Sequence, residues 1–243
     1  MPGDTVLYTK KEHIAFITLN RPEQDNIINQ QLAQQMEEIC SRVNQDDDIY
    51  VVVITGAGDK AFCGGSEVNS NVAAAVAGID RPVIAAINGD ALGEGLELAL
   101  SCDIRLASDR ARFGLPQVAS GDIPMNGGTQ RLPRLIGKGK ALELIFTAET
   151  IDAEKALEIG LVSKVVPQGD LAAEVEALAQ NLVNKAPISL RFVKEAVNKG
   201  MDLTLEQGLR LEADLYLLLH TTSDRTEGIK AFLEKRNPKF KAE

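Results

Sequence analysis

Two stretches of the chain, Tyr50-Val51-Val52-Val53-Ile54-Thr55 and Pro82-Val83-Ile84-Ala85-Ala86-Ile87, are apolar at both odd and even positions. A strand with one wet face alternates polar and apolar residues, so strands without alternation are covered on both sides. Each run leads into a glycine-rich segment and then a helix start. The first such segment is Phe62-Cys63-Gly64-Gly65-Ser66-Glu67, and the second runs from Asn88-Gly89-Asp90 through Gly93-Glu94-Gly95 to Leu96-Glu97. Buried strand, glycine turn, helix is the order of a mixed α/β core.

The flanking sequence extends this pattern. His13 to Leu19 reads as a strand ended by Arg21-Pro22, and Cys102 to Ala107 as another. Asn29 is placed to cap a helix to about Val43, with Leu32, Met36, Ile39, Cys40 and Val43 on one face. From about Asn126 the chain reads as helices over 126–135, 138–146, 152–159, 171–185, 188–199, 203–220 and 224–235. A short strand over 161–166 is the exception. The 203–220 helix is apolar on more than one face, which predicts burial inside the protein or against another subunit.

Composition narrows the function classes. The 243 residues carry 26 Lys and Arg against 35 Asp and Glu, a formal charge of −9. That balance argues against general nucleic-acid binding, which needs an excess of base, but leaves room for a local basic patch. Cys40, Cys63 and Cys102 form neither a disulfide framework nor a zinc spacing. Met1 to His13 has no apolar signal core, and no apolar run is long enough to span a bilayer. A cytoplasmic, soluble, membrane-free protein is the expectation.

Glycines at a strand-to-helix junction let the backbone approach a ligand and present free N–H groups at the helix start. Two such amides from separate loops can form an oxyanion hole; spacing alone favours plain tight turns. Neither segment has the P-loop ending or the dinucleotide fingerprint. A third loop, Gly121-Asp122-Ile123-Pro124-Met125-Asn126-Gly127-Gly128-Thr129-Gln130-Arg131-Leu132, also opens a helix, and singly reads as a turn plus cap.

Taken together these segments resemble the enoyl-CoA hydratase/isomerase (crotonase) superfamily over essentially the whole chain. The resemblance rests on Leu19-Asn20-Arg21-Pro22 with Asn26-Ile27-Ile28-Asn29, on Ala61 to Glu67, on Arg81 to Gly89 with Ala91-Leu92-Gly93, on Gly127 to Arg134, and on Gly228 to Arg236. It implies a spiral of β-β-α units over residues 1–185 and a helical trimerisation region over 186–243. Assembly would be a homotrimer or a homohexamer built as a dimer of trimers. The implied substrate is an acyl-CoA, with no cofactor beyond the coenzyme A of the substrate. The implied oxyanion donors are the amides of Ser66 and Glu94. Asn26, Ile27, Gly64 and Ser66 fall at the coenzyme-binding positions. Phe232 and Lys235 would approach the phosphates from the last helix, where residues 221–243 hold six basic and four acidic residues.

The chain also departs from the family. Of the two glutamates that flank the substrate double bond in the hydratases, one position is Glu97 and the other is occupied by Gln117. An amide orients water but does not exchange protons with it near neutrality. Glu94 stands where the family has glycine. Its side chain is expected either outward, at a helix N-terminus that favours negative charge, or inward as a relocated acid/base. Met125 and Asn126 replace small residues, predicting a bulkier pocket wall, and Asn69 replaces a lysine. His13 and His220 match no motif. The segment after Asn69 is short, entering Val72 to Val76 without the usual loop and helix. That is either a deletion opening the acyl pocket or a mobile loop missing from the sequence, and the loop's mobility in the family favours the latter. The leading expectation is an enoyl-CoA hydratase with Glu97 as acid/base and Gln117 positioning water or substrate. Alternatives are a decarboxylase, a hydrolase, a specialised dienoyl-CoA hydratase, or a silent acyl-CoA-binding paralogue.

Overall fold

The computed structural model describes residues 4–243. In chain order the strands are β1 (Val6–Lys11), β2 (Ile14–Leu19), β3 (Val51–Gly56), β4 (Ala61–Cys63), β5 (Val83–Ile87), β6 (Asp90–Leu92), β7 (Ile104–Ser108), β8 (Arg112–Gly114), β9 (Ile151–Asp152) and β10 (Lys164–Val166). The helices are α1 (Gln30–Gln45), α2 (Val72–Ala77), α3 (Glu94–Ser101), α4 (Gly128–Ile136), α5 (Lys138–Thr147), α6 (Ala153–Glu158), α7 (Leu171–Val183), α8 (Pro187–Gly200), α9 (Leu205–Leu219) and α10 (Ser223–Leu233).

The longer strands form one six-stranded sheet in the order β1-β2-β3-β5-β7-β10. It is parallel throughout except for the β1–β2 hairpin at its edge. The short strands form a second sheet, β4-β6-β8-β9. Long strand, short strand, helix then repeats three times: β3-β4-α2, β5-β6-α3 and β7-β8-α4. This is the expected β-β-α spiral.

The apolar character of β3 at both parities now has its cause. Val52 and Ile54 enter the main core with α1, α2 and α3. Val51 and Val53 face the other way, into a second cluster where Leu171, Val175 and Ala179 of α7 cover the sheet. β5 divides likewise, with Val83 and Ala85 on one side and Ile84 on the other. α1 begins as expected: the Asn29 side chain accepts the Leu32 N–H at 2.9 Å. Leu32, Met36, Cys40 and Val43 are buried.

Several expectations change. β1, β4, β6, β8 and β9 were not foreseen; β1 is an edge strand with a single fully buried residue, and the others are two or three residues long. The 161–166 strand shrinks to Lys164–Val166. The helix expected from Asn126 starts at Gly128, because the two preceding residues turn their backbone inward. A helix does follow Asn69: α2 is present, six residues long. In the 203–220 segment only Leu215 of α9 is buried by its own chain, while Leu205 is 80% exposed and Leu209, Leu217 and Leu218 are exposed too. Burial inside the protomer is therefore not its fate.

Among the described residues no helix is long and apolar enough to cross a membrane. The three cysteines are free and buried, and burial pushes each thiol up to about 12, so they stay protonated.

Candidate active site

β4, β6 and β8 run parallel, so their C-terminal ends lie side by side. From these ends come Ser66, then Gly93 with α3, then Gln117. The crossing is tight. Gly93 has φ 53° and ψ −125°, a conformation open to glycine, and a β-carbon on it would stand 3.7 Å from Gln117 Nε2. A β-carbon on Gly95 would collide with the Cys63 carbonyl. Glycine therefore lets α3 rest directly on the β4 loop.

Among the described residues this packing leaves two backbone amides on neighbouring elements without a protein acceptor. Ser66 lies in an isolated parallel bridge with Ile28, whose bonds run from Ile28 N–H to Gly65 O and from Glu67 N–H to Ile28 O. The Ser66 amide is left over. Glu94 is the first residue of α3, whose opening amides have no partner inside the helix. Among the described residues neither amide donates to a protein acceptor. The Ser66 hydroxyl bonds to Val68 O at 2.6 Å.

Glu97 is 1% exposed. Its Oε1 accepts the N–H of Asn126 at 2.7 Å and of Gly128 at 2.8 Å. Its Oε2 accepts from Gln117 Nε2 at 3.3 Å. Burial pushes the Glu97 carboxyl above its ordinary range, the Gly128 and Asn126 amides pull it back, and the Glu94 charge adds to the rise. The net displacement is upward, as suits a general base. Gln117 Oε1 is buried with no protein partner. The amide is oriented by chemistry, since its oxygen facing an ionised Glu97 would set acceptor against acceptor.

Glu94 is buried and turned inward, not outward. Its Oε1 accepts the Ser70 hydroxyl proton. Burial raises its pKa, and the Ser70 and Ser66 hydroxyls oppose the rise.

A family model described as enoyl-CoA hydratase/isomerase matches residues 9–243. The chain belongs to that family. It is 38% identical to the crotonyl-CoA hydratase of Syntrophomonas wolfei, over 99% of this chain and 99% of that protein. It is 41% identical to the (E)-benzylidenesuccinyl-CoA hydratase of Thauera aromatica, over 94% and 96%. A crystal structure of an enoyl-CoA hydratase from Bacillus anthracis superposes with a TM-score of 0.95 at 39% identity, covering 98% of this chain and all of that one.

The alignment with the Syntrophomonas protein spans 257 positions against the 243 residues present here, so at least fourteen positions face a gap. Between β4 and α2, the Ser66 side chain bonds to the Val68 backbone and the Ser70 hydroxyl accepts the Val72 N–H at the start of α2. Beside Glu94 this segment closes, with the Ser70 hydroxyl donating to that carboxyl.

Four of the residues singled out in the sequence therefore converge: Ser66, Glu94, Glu97 and Gln117. Ile27 and Gly64 lie beside them, since a β-carbon on Gly64 would touch the Ile27 side chain at 3.4 Å. Asn26 has a different task from the expected ligand contact. It is fully buried, accepting Arg21 N–H at 3.0 Å and donating to Ala57 O and Ala61 O at 3.0 and 2.7 Å. Its side chain is spent on the loop. Phe232 is 82% exposed and Lys235 is exposed at the end of α10, and the protomer does not bring them to the cluster. Met125 is exposed rather than forming an inner wall, and Asn126 contributes its amide rather than its side chain. Nothing in the residue pattern marks Ser70 as a partner of Glu94, or the Asn126 and Gly128 amides as the cradle of Glu97. Only the third glycine loop, read as a cap, hinted at the latter.

Proposed function

We infer that the chain is an enoyl-CoA hydratase, adding water across the C2=C3 bond of an enoyl thioester. The observation that carries this reading is the arrangement of Glu97. One oxygen is fixed by two amides, while the other faces Gln117 beside the free amides of Ser66 and Glu94. A water donating to Glu97 Oε2 and Gln117 Oε1 would be held with its oxygen toward C3. Glu97 would take its proton as the C3–O bond forms. The two amides would meet the thioester oxygen as negative charge develops there, the moment at which preorganised donors contribute most. Glutamine at position 117 supplies orientation without proton exchange.

The proposed substrate is an acyl-CoA, and no prosthetic group is required beyond its coenzyme A. Backbone at Ile27, Gly64 and Ser66 would border the coenzyme. Phe232 and Lys235 would reach it from a neighbouring subunit. The exposed apolar residues of α8 and α9, Val193, Val197, Leu205 and Leu209 among them, support a homotrimer or a dimer of trimers, because a monomer rarely leaves so much apolar surface wet. A cytoplasmic location fits this chemistry.

Incubation with crotonyl-CoA followed by mass spectrometry tests the reading. Hydration adds the mass of one water and keeps the thioester. Release of free coenzyme A, loss of carbon dioxide from a carboxylated analogue, or binding without turnover would replace it with hydrolysis, decarboxylation or a silent binder.

A further inference from the structure

Five charged residues are buried among the described residues: Arg81, Glu94, Glu97, Arg105 and Asp224. Four are richly bonded. Arg81 donates to Ile49 O and Asp46 O and pairs with Asp80. Arg105 donates to three carbonyls. Asp224 accepts the Lys241 and Ala242 amides, and Glu97 has the three donors described above. Among the described residues Glu94 meets neither a backbone amide nor a cation, only the Ser70 hydroxyl and, beside it, the Ser66 hydroxyl. A carboxyl buried for the sake of packing alone would be satisfied or would be replaced by something apolar. An under-bonded carboxyl at the mouth of an active site is instead available to a ligand or a proton.

Position and chemistry agree. Glu94 and Glu97 are three residues apart on α3, on one helix face, and Glu97 feels the Glu94 charge. Hydration requires a proton taken from water and a proton given to C2. The family position for the second carboxylate holds Gln117, which can give none, while a new carboxyl has entered the same site one turn before Glu97. We propose that Glu94 is the second acid–base carboxyl of this enzyme, delivering the proton to C2 of the substrate while Ser70 holds its other oxygen. The proposal rests on the hydratase reading above.

The step balances. Water oxygen bonds to C3, Glu97 receives the released proton, and the π electrons move to the thioester oxygen. When they return, C2 takes the proton of the Glu94 carboxyl. The pair then holds one proton as before, on Glu97 instead of Glu94, and transfer between the two resets the site. Burial favours the protonated form of Glu94. The other titratable groups nearby are few: Glu97 itself, Arg131 acting on Glu97 from α4, and the Cys63 thiol on β4, which stays neutral. α2 carries none.

The test uses the full-length enzyme, crotonyl-CoA hydration, and deuterium uptake at C2 of butyryl-CoA in D2O, which needs no hydration. Glu94→Gln is expected to lower kcat about a hundred-fold with KM within about three-fold, and to slow C2 exchange in parallel. Glu94→Gly should behave likewise, and adding Gln117→Glu to it should restore at least about ten-fold by returning a carboxylate to the other position. Glu94→Gln and Glu94→Gly both within about three-fold of wild type in both assays would overturn the proposal and leave Glu94 a fastener of the loop that carries Ser70. If one variant fails to fold, the other decides, with Ser70→Ala as a control that keeps the carboxyl. A wild type that does not hydrate crotonyl-CoA would count against the hydratase reading. Glu94 would then be judged by C2 exchange alone, unchanged exchange in Glu94→Gln overturning its role.

Discussion

The β-β-α core and the three C-terminal helices solve the burial problem differently. In the core each long strand feeds one apolar cluster above the sheet and another below it, and the chain closes around its own site. In α8 to α10, α9 and α10 have side-chain N-caps, including the reciprocal pair of Thr204 and Gln207, yet most large apolar side chains stay in water. One clear tie back to the core is Lys194, whose ammonium reaches Asp103 Oδ2 at 2.7 Å and Arg81 O at 2.9 Å. The core buries its apolar faces within one chain, whereas the C-terminal region leaves most of its own uncovered.

The strongest way to break that contrast is at the tightest point of the core. Gly95→Ala should cost about 3 kcal/mol or more, since the new methyl collides with backbone that cannot move aside. Urea denaturation should show the loss, or no folded protein at all. In the C-terminal region the paired change Leu205→Asp and Leu209→Asp should leave the protomer folded but monomeric. Light scattering after size exclusion would register this as a fall from the oligomer mass, and an unchanged mass would refute the partner interface.

Acidity gives a subtler probe. Glu94 and Glu97 lie above the ordinary carboxylate range when folded, so between the ordinary and the shifted values the folded chain binds more protons than the unfolded one. Stability from these groups is full below the ordinary carboxyl range and falls as pH rises through the shifted one. Urea midpoints measured from acid toward neutral pH should show that fall, and Glu94→Gln should reduce it. Activity should pass through a maximum, rising as Glu97 loses the proton that blocks it as base and falling as Glu94 loses the proton it delivers. The smallest effect is expected at the α1 cap, where Asn29→Ala should cost about 1 kcal/mol in the same denaturation assay.

Legibility in the sequence followed the same division. The buried strands and the α1 face were readable because their periodicity reflects two-sided or one-sided burial. The glycine loops were readable as places of close approach. The short strands β4, β6 and β8 were not, since so short a run has no period, and β4 and β6 are hidden inside those loops. The direction of Glu94 could not be read either: it depends on Ser70, twenty-four residues away. For the same reason the cradle of Glu97 by the Asn126 and Gly128 amides was invisible, although the glutamate itself was picked out. The exposed α9 was legible as apolar, but that its own chain leaves most of it uncovered shows only in the three-dimensional arrangement.

Both the site geometry and the proposed chemistry converge on Glu97. Steady-state hydration of crotonyl-CoA by the wild type and by Glu97→Gln, which keeps the shape and most hydrogen-bond partners of the side chain, is the direct test. The account predicts a fall in kcat of about a thousand-fold with KM within a few-fold. Equal turnover in the two proteins would contradict it.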